Sequence, residues 1–231
     1  MLFKTRAIQS GLPTLLLDGR PIARVLTTKF LRVVIDDKLT WKDHVTAVER
    51  KLSVANFIIR KIRFKINQNT AMKLYDTLVL RHIMYCNIVW GNTCKSYTAN
   101  ISRLQKRALK LCREGRINYS ENLFSLTKRL PFTKIHTMQT AQLVYSFFQN
   151  SQAVPKCIMS LFDKISEIHH HNTRSLDDMC LFTHYGRLNI RKNSVKICAP
   201  TILNQIPSKT RKAVSICCFK KELKLKLFND L

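Results

Sequence analysis

Two adjacent aspartates, Asp36 and Asp37, follow the apolar run "FLRVVI" and precede a long basic segment. Paired carboxylates beside a strand are what a two-metal phosphoryl-transfer site requires, provided that they converge on ions about 3.5–4 Å apart. Adjacent residues of a strand instead point to opposite faces. The nearest other acids, Asp18 and Asp43, have simpler roles in a turn and at a helix start. Judged by chemistry alone, we interpret Asp36 and Asp37 as the turn that leads into a helix.

The charge of the chain indicates what kind of partner it has. Forty Lys and Arg face 14 Asp and Glu, which gives a formal charge of +26. Self-repulsion of this size destabilises a compact state unless a polyanion is nearby. Nucleic acid is the first candidate partner, and an anionic membrane surface is the second. Because the cations are spread over most of the chain instead of lying beside one apolar anchor, we favour nucleic acid and predict no membrane association.

The sequence indicates a reducing compartment and no bound cofactor. It has no signal-peptide layout, no run of about 18 apolar residues and no C-x-x-C pair among its eight cysteines. Most of these cysteines sit in apolar patterns, where a free thiol acts as a small hydrophobe, so we predict nucleus or cytoplasm and no secretion. His169–His171, with Cys180 and His184 nearby, could suggest a metal site. Consecutive histidines diverge on a regular backbone, and zinc spacing is lacking, so we predict no metal.

Short strands and one long helix are predicted to position these residues. Asp18-Gly19 is a signal for a type I′ hairpin turn, and "FLRVVI" predicts one following strand. Thr40 with Asp43 predicts an approximate capping box at the next helix start. Apolar residues then recur at steps of three and four, which predicts a first long helix with a buried stripe of Val45, Val48, Leu52, Ala55, Ile59 and Ile62.

Two further helices are predicted after the first. One runs from about 70 to 90, where "GNTCKS" breaks it. The next buries a face formed by Ile101, Leu104, Ala108 and Leu111. Its opposite face carries five cations within about 120° of arc at 100° per residue, namely Arg103, Lys106, Arg107, Lys110 and Arg113. A solvated face is the usual role of such a set, but five cations without an acid favour a nucleic-acid contact.

The remaining sequence predicts shorter helices at 120–130, 133–150, 155–166, 192–206 and 212–229, separated at Pro131, Pro155, Pro200 and Pro207. The polar segment "SEIHHHNTRS" predicts a linker, with a boundary near 165–172. Trp41 and Trp90 could stack on bases, but their places at the ends of apolar stripes favour the core. Low Gly and Pro content supports long helices. We predict a mainly α-helical chain with an N-terminal β-hairpin and short strands.

Several ordered stretches resemble one family. "KFLRVVIDDKLTWKDHV" is similar to the pattern "YLGV-x-ID-x-x-L-x-W-x-x-H-I" of non-LTR (LINE-type) retrotransposon reverse transcriptases of the jockey-like group. "LYDTLVLRHIMYCNIVWGN" resembles the family's "LY-x-x-L-V-x-P-x-L-x-Y-x-x-x-x-W-G", and "ISRLQKRALKLC" resembles its "L-x-x-L-Q-x-x-A-x-R". "HNTRS…SVKICAPTILNQIP…FKKELKLKLF" is similar to the family's tail, "TR…S…GP-x-x-WN-x-LP…FK-x-x-L-K". The resemblance extends over nearly the whole chain.

The resemblance implies part of a polymerase without its catalytic residues. In such enzymes the catalytic aspartates lie in a Y-x-D-D turn of the palm, which would use Mg²⁺, and no Y-x-D-D occurs in this sequence. We therefore expect no catalytic residue, no cofactor and no enzymatic activity of the chain alone. The resemblance implies end-of-palm and primer-grip strands over 1–38, a thumb-like helical bundle over 39–115, a helical continuation over 116–165 and a C-terminal basic helical region over 172–231.

Four residues depart from the family pattern. Arg32 and Ala199 stand where the family has glycine, Arg81 where it has proline, and Leu203 where it has tryptophan. The glycine at the first position lets the hairpin approach the primer backbone closely, which a bulky cation would obstruct. Such drift fits a decaying copy of a mobile element.

We predict binding of RNA, DNA or RNA–DNA hybrid through phosphate contacts, without sequence readout. The predicted contacts are Lys42, Lys51, Arg60, Lys61 and Arg63 on the first helix, and Arg103, Lys106, Arg107, Lys110 and Arg113 on the third. Three alternatives stay open. The chain could be a subunit or truncated part of an active polymerase, a non-enzymatic basic helical protein that docks an acidic protein, or an inactive relic of a mobile element.

Overall fold

A computed structural model describes residues 1, 3, 14–113, 122–149, 155–168 and 179–230. The chain is mainly helical, and the predicted fold class, short N-terminal strands followed by helices, is confirmed. The strands are β1 (Leu16–Leu17), β2 (Arg20–Pro21), β3 (Thr27–Phe30) and β4 (Val33–Asp36). The helices are α1 (Lys42–Ile62), α2 (Gln68–Tyr75), α3 (Arg81–Met84), α4 (Asn87–Trp90), α5 (Lys95–Cys112), α6 (Leu123–Thr127), α7 (Phe132–Phe148), α8 (Lys156–Met159), α9 (Ile165–Ile168), α10 (Asn189–Lys192), α11 (Val195–Asn204), α12 (Ser208–Arg211) and α13 (Ile216–Asn229).

The N-terminal strands form two antiparallel hairpins. Asp18 and Gly19 connect β1 to β2 with positive φ angles of 48° and 73°, as the predicted turn requires. The single strand predicted over 30–35 is wrong. Phe30 ends β3 and pairs with Val33 of β4, and the two residues between them form a tight turn with positive φ at both positions. Neither of these two residues, Leu31 and Arg32, is a common turn residue, so the residue types at this position did not indicate a turn.

The junction of β4 with α1 is built on the carboxylate of Asp36. This buried side chain accepts hydrogen bonds from the N–H of Thr40 at 2.8 Å, from the hydroxyl of Thr40 at 2.9 Å and from the N–H of Trp41 at 2.8 Å. Burial alone would raise the pKa of Asp36, but these hydrogen bonds outweigh it and lower the pKa below its ordinary value. The predicted capping box of Thr40 and Asp43 is therefore wrong, since Trp41 is the N-cap residue and has no side-chain cap hydrogen bond, while Asp36 holds the two residues just before α1.

A histidine of α1 covers the outer edge of β4. Nδ1 of His44 accepts a hydrogen bond from the N–H of Val34 at 3.2 Å, and the imidazole meets the ring of Trp90 edge-on at 5.2 Å between centroids. Burial, with the charge of Lys51 as a smaller cause, lowers the pKa of His44 from 6.5 to about 4. The imidazole is therefore neutral at pH 7, as its acceptor role requires.

Helices α1 and α5 pack side by side and run parallel. At their starts the hydroxyl of Thr93 donates to the carbonyl of Thr40 at 2.9 Å, and midway the amide of Asn56 donates to the carbonyl of Leu104 at 3.2 Å. The predicted stripe of α1 faces this contact, with five of its residues buried and Ile62 half-buried. Both helices therefore start at one end of the bundle and finish at the other.

The helix predicted over 70–90 is wrong as one continuous element. α2 begins at Gln68 and passes into a π-helical turn at Asp76–Leu80 before α3. Cys86 then adopts a left-handed φ of 50° and separates α3 from α4. The apolar spacing did not indicate this break, because Ile83 and Trp90, one on each side of it, are both fully buried and keep a helical spacing.

A buried glutamine of α5 connects three helices. The amide nitrogen of Gln105 donates to the hydroxyl of Tyr75 and to the carbonyl of Leu130, each at 2.9 Å. Its amide oxygen accepts from the N–H of Phe132 at 2.9 Å, at the start of α7. Each polar atom of this side chain has a partner, so Gln105 fixes the position of α7 against α2 and α5.

The C-terminal helices pack around α7, and several are shorter than predicted. Helix 133–150 is confirmed as α7, whereas 155–166 is divided into α8 and α9. Within the described residues, the segments predicted at 120–130, 192–206 and 212–229 contain the shorter helices α6, α11 and α13. The ring of Tyr145 stacks on Phe219 of α13 at 4.2 Å. Pro131, Pro155 and Pro207 each precede a helix, as separators do. Pro200 instead lies inside α11, where it is buried and the helix continues to Asn204.

Within the described residues, most cysteines are exposed. Only Cys112 and Cys198 are buried, and burial raises the pKa of each to about 11. Five other cysteines are exposed, so the expectation that most act as small hydrophobes is wrong. No described helix combines the length and apolar content that crossing a bilayer requires. The triple histidine and most of the predicted linker, 169–175, lie outside the described residues.

Candidate nucleic-acid interface

The outer face of α5 is basic over the second half of the helix. Ile101, Gln105 and Ala108 are fully buried on the inner side of this helix. The opposite side exposes four predicted contact residues, which are Arg103, Lys106, Arg107 and Lys110. Within the described part of the chain, none of these four forms an ion pair or a side-chain hydrogen bond. The face therefore presents four cationic groups to solvent with their hydrogen-bonding capacity available to a ligand.

The five predicted contact residues of α1 are all exposed, but they do not form one face. Lys42 and Arg60 are 18 residues apart, which is about five helical turns and places them on one flank with roughly 27 Å between them. Lys51 lies midway along the chain between these two and about half a turn around the axis, on the other flank. One ligand surface therefore does not include the whole set.

The structure does bring part of the two sets together at the shared C-terminal end of α1 and α5. A cavity of about 320 Å³ is lined by Arg63, Lys110 and Arg113, and none of its lining residues within the described ranges is acidic. Arg113 is half-buried just beyond the end of α5, whereas the other two are exposed. We define the basic surface as the six cations that line this cavity or lie on the outer face of α5, which are Arg63, Arg103, Lys106, Arg107, Lys110 and Arg113.

An aromatic residue that sequence reasoning missed lies at the edge of the basic surface. Phe64 is 82% exposed, lines the same cavity, and carries the guanidinium of Arg63 at 4.2 Å from its ring centroid. Exposed aromatic rings beside cations are the stacking platforms of single-strand binding proteins. The signal available in the sequence was a phenylalanine within "RKIRFK", outside the apolar stripe of α1.

Helix polarity explains why cations can gather at this end. The C-terminal end of a helix carries partial negative charge from its free carbonyl groups, and nearby Lys or Arg are stabilised by it. Because α1 and α5 are parallel, their two C-terminal ends coincide, and cations from both helices lie there. Lys and Arg side chains are the donors that form charge-assisted hydrogen bonds with phosphate groups.

Comparison with known proteins relates the chain to the RNA-directed DNA polymerases of transposable elements, and thus to retrotransposon reverse transcriptases. Over 102 residues it is 22% identical to "Probable RNA-directed DNA polymerase from transposon X-element" of Drosophila melanogaster. The match includes 43% of this chain and spans 11% of the length of that relative. No family model matches the chain, and no solved structure matches it.

Proposed function

We propose that this chain is the part of a non-LTR, jockey-like reverse transcriptase that follows the catalytic palm, and that its function is to bind the template–primer nucleic acid. Residues 39–115 would form the thumb and hold RNA, DNA or RNA–DNA hybrid without sequence readout. The observation that carries this proposal is the set of five exposed cations on the basic surface, none of which forms an ion pair among the described residues, namely Arg63, Arg103, Lys106, Arg107 and Lys110.

The spacing of the cations suits a phosphate backbone. Arg103 and Lys110 are separated by about 10 Å along the axis of α5, with Lys106 and Arg107 between them on either side of the line that joins them. Lys and Arg contacts to phosphates fix the position of a strand and carry no sequence information. The exposed ring of Phe64 adds a stacking surface that accepts any base.

The N-terminal hairpins support a place within a longer polypeptide. Apolar side chains are exposed along the whole segment, namely Leu15, Leu16, Leu17, Ile22, Val25, Leu26, Phe30 and Leu31. So many exposed apolar side chains in one segment favour an interface, because isolated soluble domains keep exposed apolar surface small. A palm encoded upstream would cover this surface and supply the Y-x-D-D aspartates. Reading the genomic sequence upstream for an in-frame Y-x-D-D tests this part of the proposal.

Binding is tested with two matched triple variants. In the first, Arg103, Lys106 and Lys110 of the basic surface become Gln. In the second, Lys220, Lys221 and Lys224, which are exposed on α13, become Gln. Both lose three positive charges, so any difference between them reports on position instead of net charge. Fluorescence anisotropy with a labelled RNA strand and a labelled RNA–DNA duplex gives affinity as a function of salt concentration.

The expected result follows from counterion release. Each phosphate contact contributes about 0.7–0.9 to the slope of log affinity against log salt. The α5 variant should therefore lose about 2–3 from this slope, and the α13 variant should retain the slope of the wild type. Equal slopes for the two variants, or a wild-type affinity that does not change with salt, would contradict the proposal.

A further inference from the structure

The strongest unassigned feature is a partly open cavity at the end of the bundle opposite the basic surface. It lies where α1 and α5 begin and where the α10–α11 segment packs over them, and its volume is about 390 Å³, within the roughly 300–1,000 Å³ of small-molecule sites. On the basis of the proposed nucleic-acid binding, we infer that this cavity binds one unpaired nucleobase of a single-stranded region.

Two aromatic rings form the walls of the cavity. Trp41 and Tyr97 are both half-buried, pack against the core and line the open space. Neither ring belongs to an aromatic pair among the described residues. Trp41 comes directly before α1 and Tyr97 lies in the first turn of α5, so the parallel packing of these helices brings the two rings to the same cavity. A planar base is the ligand that flat aromatic surfaces stack on.

Three asparagines supply polar groups around these rings. The side-chain amide of Asn92 donates to the carbonyl of Asn193 at 3.4 Å and connects the two segments that enclose the cavity. The side-chain amides of Asn189 and Asn193 form no hydrogen bond within the described part of the chain, and neither does the hydroxyl of Tyr97. An amide offers a donor and an acceptor side by side, which is the pattern on the edge of a base.

The charge around the cavity favours a base that belongs to a nucleic-acid strand. Within two positions of a residue that lines the cavity, the sequence has seven cations, which are Lys38, Lys42, Lys95, Arg187, Arg191, Lys192 and Lys196. The same positions contain two acids, Asp37 and Asp43. The flanking phosphates of a bound nucleotide would meet this excess of positive charge, whereas an acidic peptide would leave the aromatic walls without a planar partner.

The two tryptophans of the chain make the test specific. Trp90 is fully buried, so a small ligand in the cavity should quench the fluorescence of Trp41 alone. The probes are adenosine, uridine and their 5′-monophosphates, with ribose 5-phosphate as the probe that lacks a base. We expect saturable quenching by the nucleosides and nucleotides and none by ribose 5-phosphate. Binding of ribose 5-phosphate with equal affinity, or no saturable quenching by any base, would overturn the inference.

Variants separate this site from the basic surface. Trp41→Phe should abolish the quenching, and Asn193→Ala should weaken nucleotide affinity severalfold with unchanged thermal unfolding, because the Asn193 side chain is exposed. The α5 triple variant should keep the quenching while it loses affinity for long strands. If the cavity does not bind a base, the α5 triple variant still loses affinity for long strands. If the basic surface does not bind nucleic acid, nucleosides still quench Trp41. Quenching unaffected by Asn193→Ala would contradict the assignment of this cavity.

Discussion

Replacing Arg32 by glycine should stabilise the fold. Arg32 occupies a left-handed backbone conformation, φ 64°, at the β3–β4 turn, which costs an L-residue about 1–2 kcal/mol. Its side chain is exposed and has no hydrogen bond or ion pair among the described residues, so its removal forfeits no contact. Glycine also gives the unfolded chain more conformational freedom, which offsets about 0.5–1 kcal/mol of the stabilisation. The expected net stabilisation is about 0.5–1 kcal/mol.

Urea unfolding monitored by tryptophan fluorescence measures the effect, and amide hydrogen exchange of β3 and β4 reports whether it is local. The control is Arg24→Gly, which removes the same charge from an exposed residue whose φ is not positive. That variant should lose about 0.5–1 kcal/mol. If Arg32→Gly is no more stable than wild type, or if both variants shift equally, the reasoning from backbone strain is refuted.

Three other changes test contacts at the ends of the helices. Asp36→Asn should lower the unfolding free energy by about 1–2 kcal/mol in urea titrations at pH 7, because a neutral amide replaces a carboxylate that binds three donors. Gln105→Met should lower it by about 2–4 kcal/mol, since three buried partners are left unpaired at similar side-chain volume. For His44, the folded pKa of about 4 lies below the ordinary 6.5, so its contribution is complete above pH 6.5 and falls as the pH drops toward 4. Thermal unfolding across this range should show a smaller loss of stability for His44→Asn than for wild type.

Each of these three predictions has an outcome that contradicts it. An Asp36→Asn variant as stable as wild type would show that the turn does not depend on a charged acceptor. Retained stability in Gln105→Met would mean that water or a shift of α7 satisfies the exposed groups. If the thermal stability of wild type and His44→Asn falls equally as the pH drops, other groups cause the acid sensitivity. His136 is one of them, because burial lowers its pKa as well.

The sequence predicted what depends on neighbouring residues. The Asp18-Gly19 turn, the buried stripe of α1 and the basic face of α5 all follow from local conformation or from helical periodicity, and each is present. What distant contacts decide could not be predicted in this way. The break at Cys86 lies between apolar residues whose helical spacing continues across it. The carboxylate of Asp36 replaced the expected capping box because β4 places it beside the start of α1.

The two candidate sites also combine features that local sequence predicts with features that depend on distant contacts. Cations on one helix could be assigned to one face from their spacing, but the meeting of Arg63 with Lys110 requires that α1 and α5 run parallel. The cavity near Trp41 is closed by residues 189–195, and the hydrogen bond that joins its two sides, from Asn92 to Asn193, connects residues 101 positions apart. No periodicity within a single helix carries that information.

Strand β3 has one edge that nothing in the described chain covers. Its partner β4 is covered by α1, where His44 accepts from Val34, but the sheet has only these two strands and all four residues of β3 are exposed. A two-stranded ribbon is marginally stable in water, and its free N–H and C=O groups can accept a further strand. In concentrated solution that strand would come from a second copy of the chain. Self-association by edge-to-edge pairing would then compete with ligand binding, so affinities are best measured at low protein concentration.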